Sequence, residues 1–545
     1  MNLRLPHLAT WPPAYLAFLL ALAACDAGIT GEAAGNQAPE TELAVRVTDL
    51  RETLGDGTLT STVEVHWSGT DPDGFVAGYE LRYYDASRLG EIGPEEGWIA
   101  TTRRDTTVTL PIPPGDQTAA VAFEVRAIDD DGAKDPEPAR TVFPIRNSPP
   151  TLRLSGVEVP PDTTWPAASF TWAADDPDGA ANLLGVEIAL NDTTAGFLRL
   201  PADVDFVTLV AADPRATETT ARVLIGTSGI DTGLALPGFR LDADNTVYLR
   251  SVDAAEFTSR TARYPDPDAG QTWFVRRVTA GVLLVNDYRT ANHTVVMPYH
   301  RDILASYGAA FDEWYLAEPF HTGSTIVSAY SENLPKRALP TLRETLRFWD
   351  HVYWVSNNAT NRAIGNNLPF AAGVLSEFLA DGGRLFINVP VRLPNSPEDN
   401  AGNQALALLP LSGLLDFSEY PEYEPFLDLF TGSAVTPVQP LPGGATLPAL
   451  KTARNVGGTY GYPVAAGTIA LYEGAYTATL KAGGFVPWPG PSTVASIRSD
   501  AAVALFALPM LSDLSGQPFL VGADGDPDAP QEAVRRILAA MGFPR

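Results

Sequence analysis

The feature that most constrains this chain is an internal echo. "HWSGTDPDGFVAGYELRYYD" from His66 is answered by "TWAADDPDGAANLLGVEIALND" from Thr171. Trp67 stands four residues before Asp71, and Trp172 four before Asp176. "NQAP" at Asn36 returns as "NSPP" at Asn147, and "AFEVRAIDDDG" from Ala122 as "TVYLRSVDAAE" from Thr246. A period the size of a whole domain means duplication of a module, not a solenoid repeat. In each copy a strand ends at a tryptophan, Asp-Pro-Asp-Gly supplies type I turn chemistry, and an alternating run follows. "GYELRYY" alternates so that Tyr79, Leu81 and Tyr83 fall on one face, which predicts a half-buried strand. Short strands and turn residues, in a chain with 46 Gly and 47 Pro, favour β-sandwiches. The pattern predicts one over residues 38–147 and a second over 148–278.

These two modules resemble the immunoglobulin-like and fibronectin type III-like modules of bacterial surface proteins, whose usual role is spacing or adhesion. Their acidic loops raise one cofactor question. Asp71, Asp73, Asp129, Asp130 and Asp131 could supply calcium with oxygen ligands only if two separate loops share one end of the sandwich. Plain turn chemistry is the competing reading.

The first 24 residues read as an export signal, with Arg4 ahead of the apolar run "AYLAFLLALAA", which is too short to span a bilayer. Leu22-Ala23-Ala24-Cys25 resembles the lipobox of bacterial lipoproteins, which implies acylation of Cys25. It is the only cysteine of the chain and so has no disulfide partner within it. Residues 25–37 then form a lipidated tether. The expected location is the exported side of a bacterial cell envelope, held to a membrane through lipid. The formal charge of −28 argues against a nucleic-acid partner. It leaves neutral, cationic or divalent-ion-bridged partners, and a protein or a glycan is the expected one.

From Gly281 the texture changes to alternating strands and helices. "GVLLVN", "FDEWYLA", "HVYWVS" and "RLFINV" read as strands, with helices near "MPYHRDILASYGA", "LPTLRETLRFW" and "PFAAGVLSEFLADGG" between them. Such an order predicts a parallel sheet covered on both faces. A Pro/Gly-rich insertion falls at about 410–465. A hairpin across "VASIRSDAAVALFALPM" and a helix from about Pro530 to Met541 complete the chain.

In that order, residues 280–545 resemble the class I glutamine amidotransferase-like fold, a flavodoxin-like three-layer α/β domain. The fold class is therefore multidomain, with two β-sandwiches followed by this domain. The resemblance implies a nucleophile elbow after "RLFIN", yet Val389 or Pro390 stands there. Leu508 and Met510 stand in the places of the histidine and the acid, and Asn357 and Asn358 replace the oxyanion glycines. Glutaminase chemistry needs a thiolate, a histidine and an orienting carboxylate, so no catalytic residue is assigned.

The six histidines show no compact metal spacing, and no metal site is assigned. What remains at the strand ends is polar: Asp287, Arg289 and Asn292, then Asn357, Asn358, Asn361 and Arg362, then Asn388 and Arg392. These line the place where open α/β sheets bind ligands. The leading expectation is a non-catalytic envelope lipoprotein with a binding or assembly role. A hydrolase working through carboxylates such as Asp287 is the alternative, and a purely structural stalk the third.

Overall fold

The computed structural model describes residues 35–44, 62–109, 112, 115–155, 160–288, 292–316, 319–322, 325–328, 339–357, 367–393, 405–512 and 514–545. Cys25, Arg289, Asn358, Asn361 and Arg362 lie outside the described residues. No described helix is long and apolar enough to cross a membrane. The chain divides into two compact units, Met1–Asn147 and Ser148–Arg545.

In the first unit, strands Glu40–Ala44, Thr62–Thr70 and Asp105–Thr109 form one sheet. Ile99–Thr101, Val76–Asp85, Thr118–Asp129 and Ala139–Arg146 form the other. The two sheets bury Val65 and Trp67 against Tyr79, Leu81, Phe123 and Val125. Trp67 meets Tyr79 edge-on at 6.1 Å and Phe123 at 6.3 Å.

Tyr79 and Leu81 are buried as the alternation requires, but Tyr83 is 36% exposed and Tyr84, on the opposite face, is buried. The reason is a polar network on that opposite face. Arg82 bonds Glu124 at 2.7 Å, and Tyr84 donates its hydroxyl to the same carboxylate at 2.8 Å. Trp98 is flanked by the guanidinium groups of Arg82 and Arg126, at 4.3 and 4.2 Å from its ring. A buried carboxylate tolerates such a place only with donors around it.

The second unit opens with another sandwich. Its five-stranded sheet runs, in spatial order, Ile230–Arg240, Glu218–Ile225, Phe206–Ala211, Ala167–Asp175 and Thr151–Leu154. Facing it are Leu198–Pro201, Leu183–Leu190, Val247–Asp253 and Ala262–Tyr264. Phe170, Trp172, Val186, Ile188, Phe239, Leu249 and Trp273 fill the space between the two sheets.

The same unit continues into an α/β layer. Its strands are β1 (Val282–Asp287), β2 (Phe311–Tyr315), β3 (His351–Ser356), β4 (Arg384–Asn388) and β5 (Val503–Phe506). All pair in parallel, in the spatial order β2-β1-β3-β4-β5. The hairpin partner of β5, Thr493–Arg498, pairs antiparallel, and Thr468–Gly474, Ala434–Pro437, Leu450–Thr452 and Leu520–Gly522 follow it to complete a ten-stranded sheet.

Alternate residues of β1 enter different cores, because successive side chains of a strand point to opposite faces. Val282 and Leu284 face helices α1 (His293–Tyr307) and α4 (Ala529–Ala540). Leu283 and Val285 face α2 (Leu339–Leu346) and α3 (Leu368–Ala380).

On the α2 side the second sandwich packs against this layer. Trp165 meets Trp349 edge-on at 4.8 Å, Ser169 Oγ lies 2.5 Å from Thr341 Oγ1, and Arg343 donates to the Ser228 carbonyl at 3.1 Å.

Candidate functional site

The carboxyl ends of β1, β3 and β4 carry the polar residues expected to line a crevice. Asp287 continues the face of Leu283 and Val285, so it points toward the start of α3. It is fully buried. Ser356 Oγ donates to its Oδ2 at 2.8 Å and Trp354 Nε1 to the same oxygen at 3.2 Å. Asn367, which precedes α3, donates its backbone N–H at 3.0 Å and its side-chain amide at 2.8 Å.

Burial pushes the Asp287 carboxyl up to about 6, against the opposing pull of these bonds. The α3 N-terminus adds a favourable field for an anion. A general acid, base or nucleophile needs a lone pair or proton within reach of substrate. Asp287 instead directs both oxygens at protein donors, which makes it a clamp joining β1, β3 and α3.

The other described residues of the set have these places. Asn388 donates its side-chain amide to the Phe506 and Leu508 carbonyls at 2.9 and 3.0 Å, tying β4 to β5. Asn292 begins α1, its carbonyl accepting from Val295 N at 3.0 Å. Asn357 follows β3, and its carbonyl accepts from Ser356 Oγ at 3.3 Å. Arg392 is exposed. Its charge draws the Tyr460 phenol down, although burial dominates and the phenol stays raised.

At Val389, where the resemblance would put a nucleophile, the backbone continues extended beside β5. Val389 N donates to Phe506 O at 3.2 Å, and Val391 N to Ala507 O at 3.4 Å. Leu508 is fully buried and Met510 nearly so. His293 and His300 share α1 but sit two turns apart, about 10 Å along its axis. His293 stacks on Tyr315 at 4.3 Å, and His300 Nδ1 lies 2.9 Å from the Tyr353 hydroxyl inside the core.

The acidic loops of the first sandwich do share one end. The Asp130 and Asp71 carboxylates both close over Gly74, where a Cβ would have to push them aside. Their carboxylates face amides. Gln37 N donates to Asp73 Oδ2 at 3.0 Å, Phe75 N to Asp130 Oδ1 at 3.0 Å, Asp131 N to Asp129 Oδ1 at 3.0 Å, and Asn36 Nδ2 to Asp129 Oδ2 at 2.7 Å.

The second sandwich repeats the arrangement with Asp176, Asp178 and Asp253, all buried. Ser148 N donates to Asp178 Oδ2 at 2.7 Å, and Phe257 N to Asp253 Oδ1 at 2.8 Å. Burial, followed by the charges of Asp178 and Asp253, pushes Asp176 up to about 6 against its two hydrogen bonds.

Sequence reasoning missed Trp354, Ser356 and Asn367 as partners of Asp287. Ser356 carried a signal, since it ends β3 in parallel register with Asp287. Asn367 carried none, because its approach depends on where α3 docks.

No family model matches the sequence, and no curated protein matches it. Several solved β-sandwich structures are similar at low scores. The fibronectin(III)-like modules of CbhA from Clostridium thermocellum match at 10% identity and a TM-score of 0.16, over 43% of this chain and 94% of that one. The PKD1 domain of the Vibrio cholerae metalloprotease PrtV matches at 15% identity and 0.13, over 20% and 99%. The central fibronectin-III array of RIM-binding protein matches at 11% identity and 0.14, over 45% and 71%. Likenesses this weak carry no inference about what this chain does.

Proposed function

We propose that the chain is a lipid-anchored protein of the bacterial cell envelope whose β-sandwich modules carry a flavodoxin-like, amidotransferase-like domain. That domain binds or assembles and does not catalyse. The observation that carries the reading is the state of Asp287, a fully buried carboxylate whose oxygens accept from Trp354, Ser356 and Asn367. The strand order β2-β1-β3-β4-β5 supports a flavodoxin-like reading, under which a ligand crevice would lie at the ends of β1 and β3. In place of an elbow, Val389-Pro390-Val391 runs extended, and Pro390 holds its own φ near −65°. A protein or glycan partner fits a polar rim without a nucleophile better than a small substrate does.

Two measurements test the two halves of this reading. Cys25→Ala should shift the exported protein from the detergent phase to the aqueous phase; retention in detergent at the wild-type level removes the anchor. The purified full-length chain should release no ammonia from glutamine above a buffer blank, and release above it would overturn the non-catalytic assignment.

A further inference from the structure

In strand Thr62–Thr70, Val65 and Trp67 point into the first sandwich, so Glu64 and His66 point outward on its other face. Asp105, on the neighbouring strand, stands opposite His66 in antiparallel register. Trp67 N bonds Arg104 O at 2.9 Å, which makes the His66–Asp105 pair a non-hydrogen-bonded one, the kind whose side chains approach more closely. Two outward side chains two residues apart and a third directly across therefore meet on one patch of sheet. One donor atom from each of Glu64, His66 and Asp105 lies within 4.8 Å of the other two. His66 Nε2 is shielded from solvent and makes no aligned hydrogen bond, although it lies 3.2 Å from Glu64 Oε1.

We propose that Glu64, His66 and Asp105 form a binding site for a divalent transition-metal ion of the zinc class. With its proton on Nδ1, the neutral His66 imidazole turns the Nε2 lone pair toward the Glu64 carboxylate. A cation between them removes that conflict. Donors around a tetrahedral zinc at about 2.0–2.2 Å lie roughly 3.3 Å from one another. The trio therefore needs an inward swing of about 1 Å, within reach of ordinary rotamer adjustment on the exposed Glu64 and Asp105.

Imidazole with two carboxylates favours zinc or copper over calcium and magnesium, which take all-oxygen shells. Arg103 lies 3.7 Å from Asp105 Oδ1, but both side chains are more than half exposed, and such a pair contributes little that would resist an ion. Three ligands on two strands leave the fourth position open to water or to a donor from a partner.

The test uses the full-length chain, purified without a histidine tag, stripped with a chelator and titrated with zinc in a calorimeter. One zinc per chain is expected, in the micromolar range or tighter. Removing a first ligand should weaken binding at least as much as outer-shell changes do. His66→Ala should therefore cost about 100-fold or more, and Asp105→Asn and Glu64→Gln about 10-fold each. Calcium at the same concentration should bind none of these.

Melting in chelator, unchanged by His66→Ala, shows that the variant is folded. Should it misfold, acylation of His66 by diethyl pyrocarbonate in the wild-type chain, located by mass spectrometry, serves instead. Zinc should protect His66. Failure to take up zinc, uptake unchanged in His66→Ala, or acylation of His66 indifferent to zinc each overturns the site and leaves an ordinary Glu64–His66 surface pair.

Discussion

Replacing Asp287 by Asn keeps the size of the side chain and one acceptor oxygen, but turns the other oxygen into an NH2 group. The Ser356 hydroxyl, the Trp354 indole and the Asn367 backbone amide all donate to Oδ2, whose place the retained oxygen can take; the NH2 group then faces the Asn367 side-chain amide, which donates to the other oxygen. Each orphaned donor costs about 1–3 kcal/mol.

A second contribution depends on pH. Asp287 titrates near 6 when folded, because burial disfavours its charge, and near 3.8 when unfolded. A carboxyl raised in this way contributes stability that is fully present below the unfolded pKa and lost as pH rises through the folded one. The whole effect is about 3 kcal/mol, from 1.36 kcal/mol per unit. About 1.4 kcal/mol of it falls between pH 5 and pH 7.5.

Asparagine does not titrate, so the stability gap between wild type and Asp287→Asn should narrow by that amount on going from pH 5 to pH 7.5. Denaturant unfolding followed by tryptophan fluorescence at the two pH values measures it. A gap that is zero at pH 7.5, or that does not change with pH, refutes the clamp. A variant with unaltered unfolding that instead lost turnover of some substrate would point to a catalytic Asp287.

Burial lowers the His300 pKa to about 3, so its contribution is present above its unfolded value of 6.5 and drains away at about 1.4 kcal/mol per unit as pH falls. His300→Gln keeps a partner for the Tyr353 hydroxyl and should flatten that slope between pH 7.5 and 5; an unchanged slope means His300 is not the titrating group. Trp165→Ala empties the contact with Trp349 and the stacking of Arg276 at 4.4 Å over its ring. It should cost about 3–5 kcal/mol and split the unfolding of the second unit into two calorimetric steps; a loss below about 1 kcal/mol says that the sandwich docks through other contacts.

Strand and helix periodicity made most of the third region legible, because a strand buried on both faces reads as a continuous apolar run. "VLLVN" is of that kind, and its odd and even residues supply two different cores. Alternation failed at Tyr83, where Glu124 gathers Arg82 and Tyr84 on the face that the pattern leaves to solvent. Period-2 reasoning treats a polar face as solvated, and it cannot see charges that bury one another.

The polar rim was legible as residue types but not as roles. Asn388 looks like a loop residue, yet its amide ties two strands together, and that needs the β4–β5 pairing to be known. Glu64, His66 and Asp105 escaped for a related reason. Histidine spacing along the chain is a helix or loop signal for metals, whereas here the third donor comes from cross-strand register.

The repeated segments show what a sequence echo can stand for. "NQAP" and "NSPP" echo each other in the sequence, and the Asp-Pro-Asp-Gly loops echo each other beside them. In the fold they are the two halves of one contact. The residue after the asparagine, Gln37 or Ser148, donates its backbone amide to the second aspartate of its own module's loop, Asp73 or Asp178. Proline two residues further on in each copy restricts the residue before it to extended backbone. The stiffened segment presents its amide at a reduced entropic cost.

The first aspartate of each loop shares a fate as well. Asp71 and Asp176 are both pushed up by burial and by the charges of neighbouring aspartates. For Asp176 the ionised form is disfavoured up to about pH 6, so acidification toward 4 tightens that loop where it would loosen an ordinary ion pair. Like carboxylates packed together behind an amide therefore make the second module's entry segment firmest on the acid side of neutrality. That property belongs to the entry segment, the loop and the strand end at Asp253 together, and to none of the three alone.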